Sequence, residues 1–246
     1  MTMEASTNST TGLSCPETER LQAVLPHARA LVFDCDGTLL DTMPIYYESW
    51  KRTCDEVGLD FPIERFYAMA GMPVVDIFAI LIREQQPQGT TLCPKECEQK
   101  KKQHHKDVES EGRVAGPIDV VVQIASQHHG KIPMAVASSG WRDHVLTGLE
   151  RVGILKWFDA VVTADEDEVK RGKPHPDIFQ VAAQRLKIDP QACIGFEDAD
   201  LGLQAVESAG YLAAVDVRLM TMYPRNVEQR QRQQNQIQNN EEKVQG

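Results

Sequence analysis

The sequence predicts an α/β fold in which a parallel β-sheet carries a second, helical domain. Two observations favour it. Short apolar runs alternate with helical patterns over most of the chain, as expected for strands that are buried on both faces and joined by helices. From about residue 44 to residue 112, in contrast, helical patterns occur without a convincing strand. The 246 residues suffice for one large domain or two modest ones.

Five apolar runs are the candidate strands, each bounded by charged or turn-forming residues. They cover residues 30–34, 132–137, 160–163, 192–196 and 212–215. Helical patterns follow the later runs at residues 142–151, 177–186 and 201–208. We expect these elements to form the core domain, over residues 29–43 and 113–220.

The helical domain is predicted over residues 44–112, with helical patterns at 46–57, 74–83 and 95–111. The last pattern contains the run Lys100, Lys101 and Lys102, which we interpret as a solvated helix face. Ligands of open parallel sheets bind beyond the carboxyl ends of the strands. A domain inserted after the first strand would therefore lie above the binding crevice and could close it.

Both ends of the chain are predicted to be disordered tails, over residues 1–28 and 224–246. The first is rich in Ser, Thr and Glu, and the second contains seven Gln and four Asn. Neither shows apolar residues at a helical or strand spacing, so neither can bury enough apolar surface to offset the entropy of ordering.

Charge and composition exclude several classes of protein. The chain has 26 Lys+Arg against 36 Asp+Glu, a net charge of −10, and a pI of about 5.2, which disfavours a nucleic-acid partner. No run approaches the roughly 18 apolar residues of a membrane span, and the N-terminal residues lack the apolar core of a secretory signal. Six cysteines are too sparse for a disulfide scaffold. We expect a cytoplasmic monomer whose partner is a small molecule.

The strongest local signal is the pair Asp34 and Asp36, followed by Gly37 and Thr38, directly after the first apolar run. Gly37 permits a turn at the strand end. Two carboxylates crowded there repel each other unless a cation neutralises them, and their hard oxygens suit Mg²⁺. A surface turn or a helix cap is the structural alternative.

Three further elements follow later strands. Ser138 could offer a hydroxyl to a phosphate oxygen, Lys173 an ammonium group, and the pair Glu197 and Asp198 a second set of metal ligands. A turn serine, a solvated lysine and an acidic helix cap are the corresponding structural interpretations.

Taken in chain order, the Asp34–Asp36 pair with Gly37 and Thr38, then Ser138, Lys173 and the Glu197–Asp198 pair resemble the four motifs of the haloacid dehalogenase superfamily. The resemblance extends over roughly residues 29–220. The similarity is greatest to the branch that holds β-phosphoglucomutase and the small sugar-phosphate phosphatases, and residues 196–205 and 214–219 resemble bacterial fructose-1-phosphate phosphatases. The resemblance implies a Rossmann-like, doubly wound parallel sheet with an inserted α-helical cap. It also implies a phosphatase of small sugar phosphates that uses Mg²⁺.

By that resemblance, Asp34 is the nucleophile that forms an aspartyl-phosphate, and Asp36 is the general acid and base. Ser138 and Lys173 would bind the transferring phosphoryl group. The implied Mg²⁺ ligands are the Asp34 carboxylate, the Asp36 backbone carbonyl and Asp198, with Glu197 acting through water.

The cap departs from the mutase pattern. Mutases of this branch place a histidine five residues after the last aspartate of the first motif; counted from Asp41, that position is Tyr46. Tyrosine, with a pKa near 10, is a poor proton shuttle at neutral pH. A sugar-phosphate mutase and a non-catalytic interaction protein remain the alternative functions.

Other cap residues are ambiguous. Tyr46, Trp50 and Met72 either line the cap side of the pocket or belong to the cap core, and Arg142 is a candidate substrate contact. The segment with Cys93, Cys97, His104 and His105 carries metal-binding residue types, but its spacing fits no standard zinc pattern. We predict no metal site within that segment.

Overall fold

The computed structural model describes residues 15–85 and 91–231. A parallel five-stranded sheet forms its centre. The strands are β1 (Ala30–Phe33), β2 (Met134–Ser138), β3 (Ala160–Thr163), β4 (Cys193–Glu197) and β5 (Ala213–Asp216), in the spatial order β3-β2-β1-β4-β5. The predicted α/β class with a parallel sheet is confirmed, and every predicted strand overlaps an observed one.

Helices surround the sheet. They are α1 (Pro16–Val24), α2 (Met43–Val57), α3 (Ile63–Ala68), α4 (Val74–Gln85), α5 (Pro94–Ser110), α6 (Asp119–His128), α7 (Arg142–Arg151), α8 (Asp177–Leu186), α9 (Asp200–Ser208) and α10 (residues 224–231). The sequence patterns did not predict α1, α3, α6 or α10.

The sheet is covered on both faces. Successive side chains of a strand point to opposite faces, so Leu31 and Phe33 pack into the cluster formed with α1, α6 and α7, whereas Ala30 and Val32 pack into the cluster formed with α8 and α9. The result is the doubly wound architecture that the sequence predicted.

Helices α2 to α5 form a third hydrophobic cluster of their own, built around Trp50, Phe66 and Phe78. They occupy the segment between β1 and β2 for which we predicted a helical cap, and we call them the cap helices. In the described residues, no helix is both long and apolar enough to cross a membrane.

The strand order determines where a ligand can bind. Strand β1 lies between β2 and β4, and the chain runs from β1 outward in one direction before crossing to the other side of the sheet. Binding crevices of open α/β sheets form beyond the carboxyl ends of the strands at such a switch point. Asp34, Ser138 and Glu197 lie at the carboxyl ends of these three neighbouring strands.

The prediction of a disordered tail over residues 1–28 is wrong for its second half. Helix α1 buries Leu21 in the core, and the buried Glu17 carboxylate accepts a hydrogen bond of 3.1 Å from the backbone N–H of Asp216. Val24 and Leu25 pack beside Leu21, so the helical spacing i, i+3, i+4 was present but confined to three residues. Residues 1–14 lie outside the described part of the chain.

The predicted C-terminal tail begins too early, because residues 224–231 form α10. Polar contacts hold this helix. The Asn226 side chain donates hydrogen bonds to the carbonyls of Arg218 and Met220, and the Arg225 guanidinium lies 4.2 Å from the centroid of the Tyr67 ring. An apolar pattern could not reveal a helix held in this way. Residues 232–246 lie outside the described part.

Candidate active site

Three carboxylates from two strand ends form a buried acidic centre. One oxygen each of Asp34, Glu197 and Asp198 lies within 4.8 Å of the others, and all three side chains are buried. Asp34 follows β1, and its backbone N–H donates to the carbonyl of Phe196 on β4. Pairing of β1 with β4 therefore brings together acids that lie far apart in the sequence.

Lys173 supplies a cation to this centre. Its Nζ donates hydrogen bonds to Asp34 Oδ1 at 2.6 Å, to Glu197 Oε1 and to the carbonyl of Ala137 at 3.2 Å. The loop that carries Lys173 is held at its base, because Asp177 accepts hydrogen bonds from both the backbone and the guanidinium of Arg171. Lys173 thus reaches the acids from a third strand end, as its position after β3 suggested.

Burial and mutual repulsion raise the pKa values of two carboxyls in the acidic centre. Burial raises the pKa of Asp34 to about 7; Lys173 opposes this shift and Glu197 adds to it. Burial also raises the pKa of Asp198 well above its ordinary value, and repulsion by Glu197 and Asp34 acts in the same direction. A single ammonium group therefore leaves the three carboxylates short of positive charge.

Two glycines make room for these carboxylates. A Cβ at Gly37 would lie 2.1 Å from Asp198 Oδ2, and Gly37 has a φ of +83°, which an L side chain rarely adopts. A Cβ at Gly202 would lie 1.9 Å from Glu197 Oε1. The turn after β1 and the first turn of α9 are thus shaped by the acids packed against them.

Glu197 and Asp198 differ in the lone pairs they leave free. Glu197 Oε2 accepts the backbone N–H groups of Asp198 and Ala199, at 2.9 and 3.0 Å, while Oε1 accepts from Lys173. Both oxygens of Glu197 are therefore engaged. Within the described residues, no hydrogen bond reaches the carboxylate of Asp198 or the backbone carbonyl of Asp36.

The donor set fits a hard divalent cation. It consists of carboxylate and carbonyl oxygens, the type that Mg²⁺ prefers, and the raised pKa values of Asp34 and Asp198 show that a further positive charge would be favourable there. Asp34, Asp198 and the Asp36 carbonyl would hold the ion, and Glu197, whose oxygens are occupied, would orient its neighbours.

Asp36 meets the cap. Its Oδ1 accepts a hydrogen bond of 2.9 Å from the Tyr46 hydroxyl on α2. Burial raises the pKa of Tyr46 well above its ordinary value, and the charge of Asp36 adds to the shift, so the phenol stays protonated and keeps donating. The position that holds a histidine in the mutase pattern is therefore occupied by a fixed hydrogen-bond donor.

Ser138 is completely buried at the end of β2, and its Oγ accepts the backbone N–H of Gly140 at 3.0 Å. A Cβ at Gly140 would lie 3.1 Å from Ser138 Oγ and 3.2 Å from Asp36 Oδ2, so the two side chains flank Gly140. Ser139 and Gly140 line the open space beside the acids. Ser138 itself does not line that space, and within the described residues its hydroxyl donates no hydrogen bond.

A cleft of about 540 Å³ lies between the strand ends and the cap helices. Asp34, Asp36, Lys173, Glu197 and Asp198 line its core side. Its cap side is mainly apolar and includes Trp50, Phe66, Met69, Met72 and Ile77. Trp50 and Met72 therefore line the cleft, which is one of the two places that the sequence allowed for them. Trp50 is also buried in the hydrophobic cluster of the cap, which is the other place.

Lys101 is a charged cleft residue that sequence reasoning missed. Its neighbours Lys100 and Lys102 are exposed and pair with Glu56 and Glu98, as expected of a solvated face. Lys101, in contrast, lines the cleft and lies 5.1 Å above the centroid of the Tyr46 ring. Burial lowers its pKa to about 8, although the nearby charge of Asp36 opposes the shift.

Arg142, the candidate substrate contact, is paired with other groups of the core. Its guanidinium donates hydrogen bonds to Glu166 Oε1 at 2.8 Å and to the carbonyl of Val161 at 3.1 Å. Arg142 does not line the cleft. It begins α7, and the acidic loop after β3 lies beside that helix start and binds it.

Comparison with known proteins agrees with this geometry. A family model for haloacid dehalogenase-like hydrolases matches residues 28–210. The fructose-1-phosphate phosphatase YqaB of Escherichia coli is 36% identical over 190 residues, which cover 77% of this chain and 96% of that protein. The β-phosphoglucomutase of Bacillus subtilis is 28% identical over 75% of this chain and 81% of its own.

A solved structure shows the same fold. A haloacid dehalogenase-like protein from Agrobacterium tumefaciens superimposes with a TM-score of 0.65 at 24% sequence identity, over 76% of this chain and 81% of that one.

Proposed function

The chain belongs to the haloacid dehalogenase-like hydrolases, and we propose that it is a Mg²⁺-dependent phosphatase of small sugar phosphates of the fructose 1-phosphate type. The observation that carries the proposal is the convergence of Asp34, Asp36, Lys173 and Asp198 on one cleft. The 36% identity to a fructose-1-phosphate phosphatase supports the substrate class.

Asp34 attacks phosphorus in this mechanism. Its Oδ1 is held by Lys173, while Oδ2 has no hydrogen-bond partner among the described residues and is free to form the P–O bond. The bond from phosphorus to the sugar oxygen breaks, and Asp36 delivers a proton to that oxygen. An aspartyl-phosphate on Asp34 and the free sugar result.

Water then attacks the same phosphorus, and Asp36, now ionised, accepts the proton that the water loses. The P–O bond to Asp34 breaks, inorganic phosphate leaves and both carboxylates return to their starting state. In this proposal, Lys173 and the Ser138 hydroxyl bind phosphoryl oxygens throughout. A bound Mg²⁺ would supply the positive charge that keeps Asp34 ionised beside a phosphate dianion.

The cap side of the cleft supports a small substrate. Tyr46 and Lys101 are its polar groups facing Asp36, and the rest of that wall is apolar or aromatic. Such a wall suits the C–H faces of one compact sugar ring or chain, with a hydroxyl near Lys101. The Tyr46 hydrogen bond to Asp36 supports a phosphatase over a sugar-phosphate mutase, because the Tyr46 hydroxyl does not change its protonation near neutral pH.

The test is phosphate release from fructose 1-phosphate, glucose 6-phosphate, glycerol phosphate and glycolate phosphate, with Mg²⁺ and then with a chelator. We expect fructose 1-phosphate to be among the best substrates. Asp34→Asn should abolish release, whereas Asp167→Asn, in an exposed loop, should leave it unchanged. Full activity of Asp34→Asn would refute the mechanism.

The mutase alternative is tested on β-glucose 1-phosphate. Formation of glucose 6-phosphate faster than release of phosphate would favour it, in line with the similarity to a β-phosphoglucomutase. The third alternative, a non-catalytic interaction protein, is contradicted by the family match and the phosphatase relatives. The chain is a phosphoric monoester hydrolase.

A further inference from the structure

A second group of metal-binding side chains lies between the cap and the core and shares no residue with the acidic centre. His105 and Glu109 are four residues apart on the cap helix α5 and therefore lie on one helix face. His144 lies in the first turn of the core helix α7. One ligand atom from each residue lies within 4.8 Å of the other two.

We propose that His105, Glu109 and His144 form a binding site for a divalent transition-metal ion, with Zn²⁺ the best match, and that the bound ion ties the cap to the core. We call these three residues the bridging cluster. The inference does not depend on which phosphate ester the enzyme hydrolyses.

The distances within the cluster are close to those of a tetrahedral zinc site. Glu109 Oε1 lies 3.8 Å from His105 Nε2 and 3.7 Å from His144 Nδ1. Zinc bonds of about 2.0–2.1 Å place tetrahedral ligands roughly 3.3–3.4 Å apart. Shortening these two separations by about half an ångström would bring them to tetrahedral values, and the ligand atoms of His105 and His144 lie within 4.8 Å of each other.

The ring of His105 packs beside Tyr46, with the centroids 5.1 Å apart, and in the described residues neither of its nitrogens is engaged in a hydrogen bond. Its Nδ1 is buried and has no hydrogen-bond partner in the described part of the chain, and Nε2 faces only Glu109 at 3.8 Å. Recruitment of this ligand breaks no described hydrogen bond.

The cluster is accessible and has room for a fourth ligand. The side chains of Glu109 and His144 are 42% and 41% exposed, so an ion can enter from solvent. A cavity of about 60 Å³ adjoins all three residues, enough for a water molecule. Arg113 and Arg151 also line this cavity, and their charge favours an anionic fourth ligand such as hydroxide or chloride.

Ligand chemistry separates the two sites. Two imidazoles and one carboxylate suit Zn²⁺ and its neighbours in the transition series, whereas the acidic centre offers oxygens alone and suits Mg²⁺. No zinc pattern is visible in the sequence, because His144 comes from the core, 39 positions after His105. In the described residues, Cys93 and Cys97 join no such group.

The test is a Zn²⁺ titration of the full chain against a chromophoric chelator, at saturating Mg²⁺. We expect one zinc equivalent in the wild type and in Asp198→Asn, and an affinity lowered more than about 100-fold in His144→Ala, since loss of even an outer-shell partner costs 10–100-fold. His104→Ala is the matched control, because His104 lies on the same helix but pairs with Glu56; its affinity should match the wild type.

Two results would overturn the site: zinc binding that persists in His144→Ala, or binding that disappears in Asp198→Asn and so belongs to the acidic centre. Co²⁺ in place of Zn²⁺ should give tetrahedral d–d absorption in the wild type and lose it in His144→Ala. If the ion ties the cap to the core, Zn²⁺ should slow turnover in His104→Ala but not in His144→Ala; equal inhibition of both variants would refute the tie.

Discussion

Asp34 should make the folding stability of the metal-free protein depend on pH, and Asp34→Asn should remove that dependence. Burial raises the pKa of this carboxyl from 3.8 to about 7. A carboxyl with a raised native pKa binds its proton more tightly when folded. Its contribution therefore favours folding fully below about pH 3.8 and is lost as the pH rises to about 7.

The magnitude follows from the two pKa values. The shift from 3.8 to about 7 corresponds to about 4 kcal/mol over the whole range. At pH 5 the unfolded carboxyl is already mostly ionised while the native one is protonated, so part of the loss has occurred. Between pH 5 and pH 8 the remaining loss is about 2–3 kcal/mol.

The assay is chemical unfolding at pH 5 and pH 8 in a chelating buffer, followed by tryptophan fluorescence and circular dichroism. We expect the unfolding free energy of the wild type minus that of Asp34→Asn to fall by about 2–3 kcal/mol between the two pH values. The exposed Asp167→Asn should show no such change. A difference for Asp34→Asn that is the same at both pH values would refute the reasoning.

Three further outcomes follow from the site geometry. Lys173→Met should lower kcat about 10²–10³-fold at saturating Mg²⁺, because it removes a charged donor to the phosphoryl group; a kcat within threefold of the wild type would contradict that role. Gly202→Ala should destabilise the fold by about 1–3 kcal/mol in chemical unfolding, because its Cβ would lie 1.9 Å from Glu197 Oε1. Tyr46→Phe should lower kcat about 10–100-fold with an unchanged circular dichroism spectrum, because Asp36 loses the hydrogen bond that it accepts from the Tyr46 hydroxyl; an unchanged kcat would show that the bond is dispensable.

The core side of the site was predictable because its residues depend on local features. Asp34, Ser138 and Glu197 each terminate an apolar run, and a parallel sheet brings the carboxyl ends of neighbouring strands to one edge. Knowing the strands was therefore enough to place the side chains near one another. Lys173 was also found, since it follows the third run closely.

The cap side was less predictable because it depends on which surfaces meet. Lys100, Lys101 and Lys102 are equivalent in sequence, yet only Lys101 lines the cleft. Successive residues of a helix point about 100° apart, so one of the three must differ from its neighbours. Which one faces the core is decided by how α5 packs on α2, and no local pattern carries that information. The pairing of Arg142 was equally hidden from the sequence, because its partner Glu166 comes from another loop.

The surrounding fold explains how the acidic centre can exist. Three buried carboxylates with one lysine violate the rule that buried charges are balanced, and proteins tolerate such violations mainly at functional sites, where stability from the rest of the fold offsets them. Here the β1–β4 pairing fixes Asp34 beside Glu197, and Gly37 leaves room for the Asp198 carboxylate to pack against the turn after β1. The repulsion between these carboxylates raises their affinity for protons and, we infer, for a divalent cation.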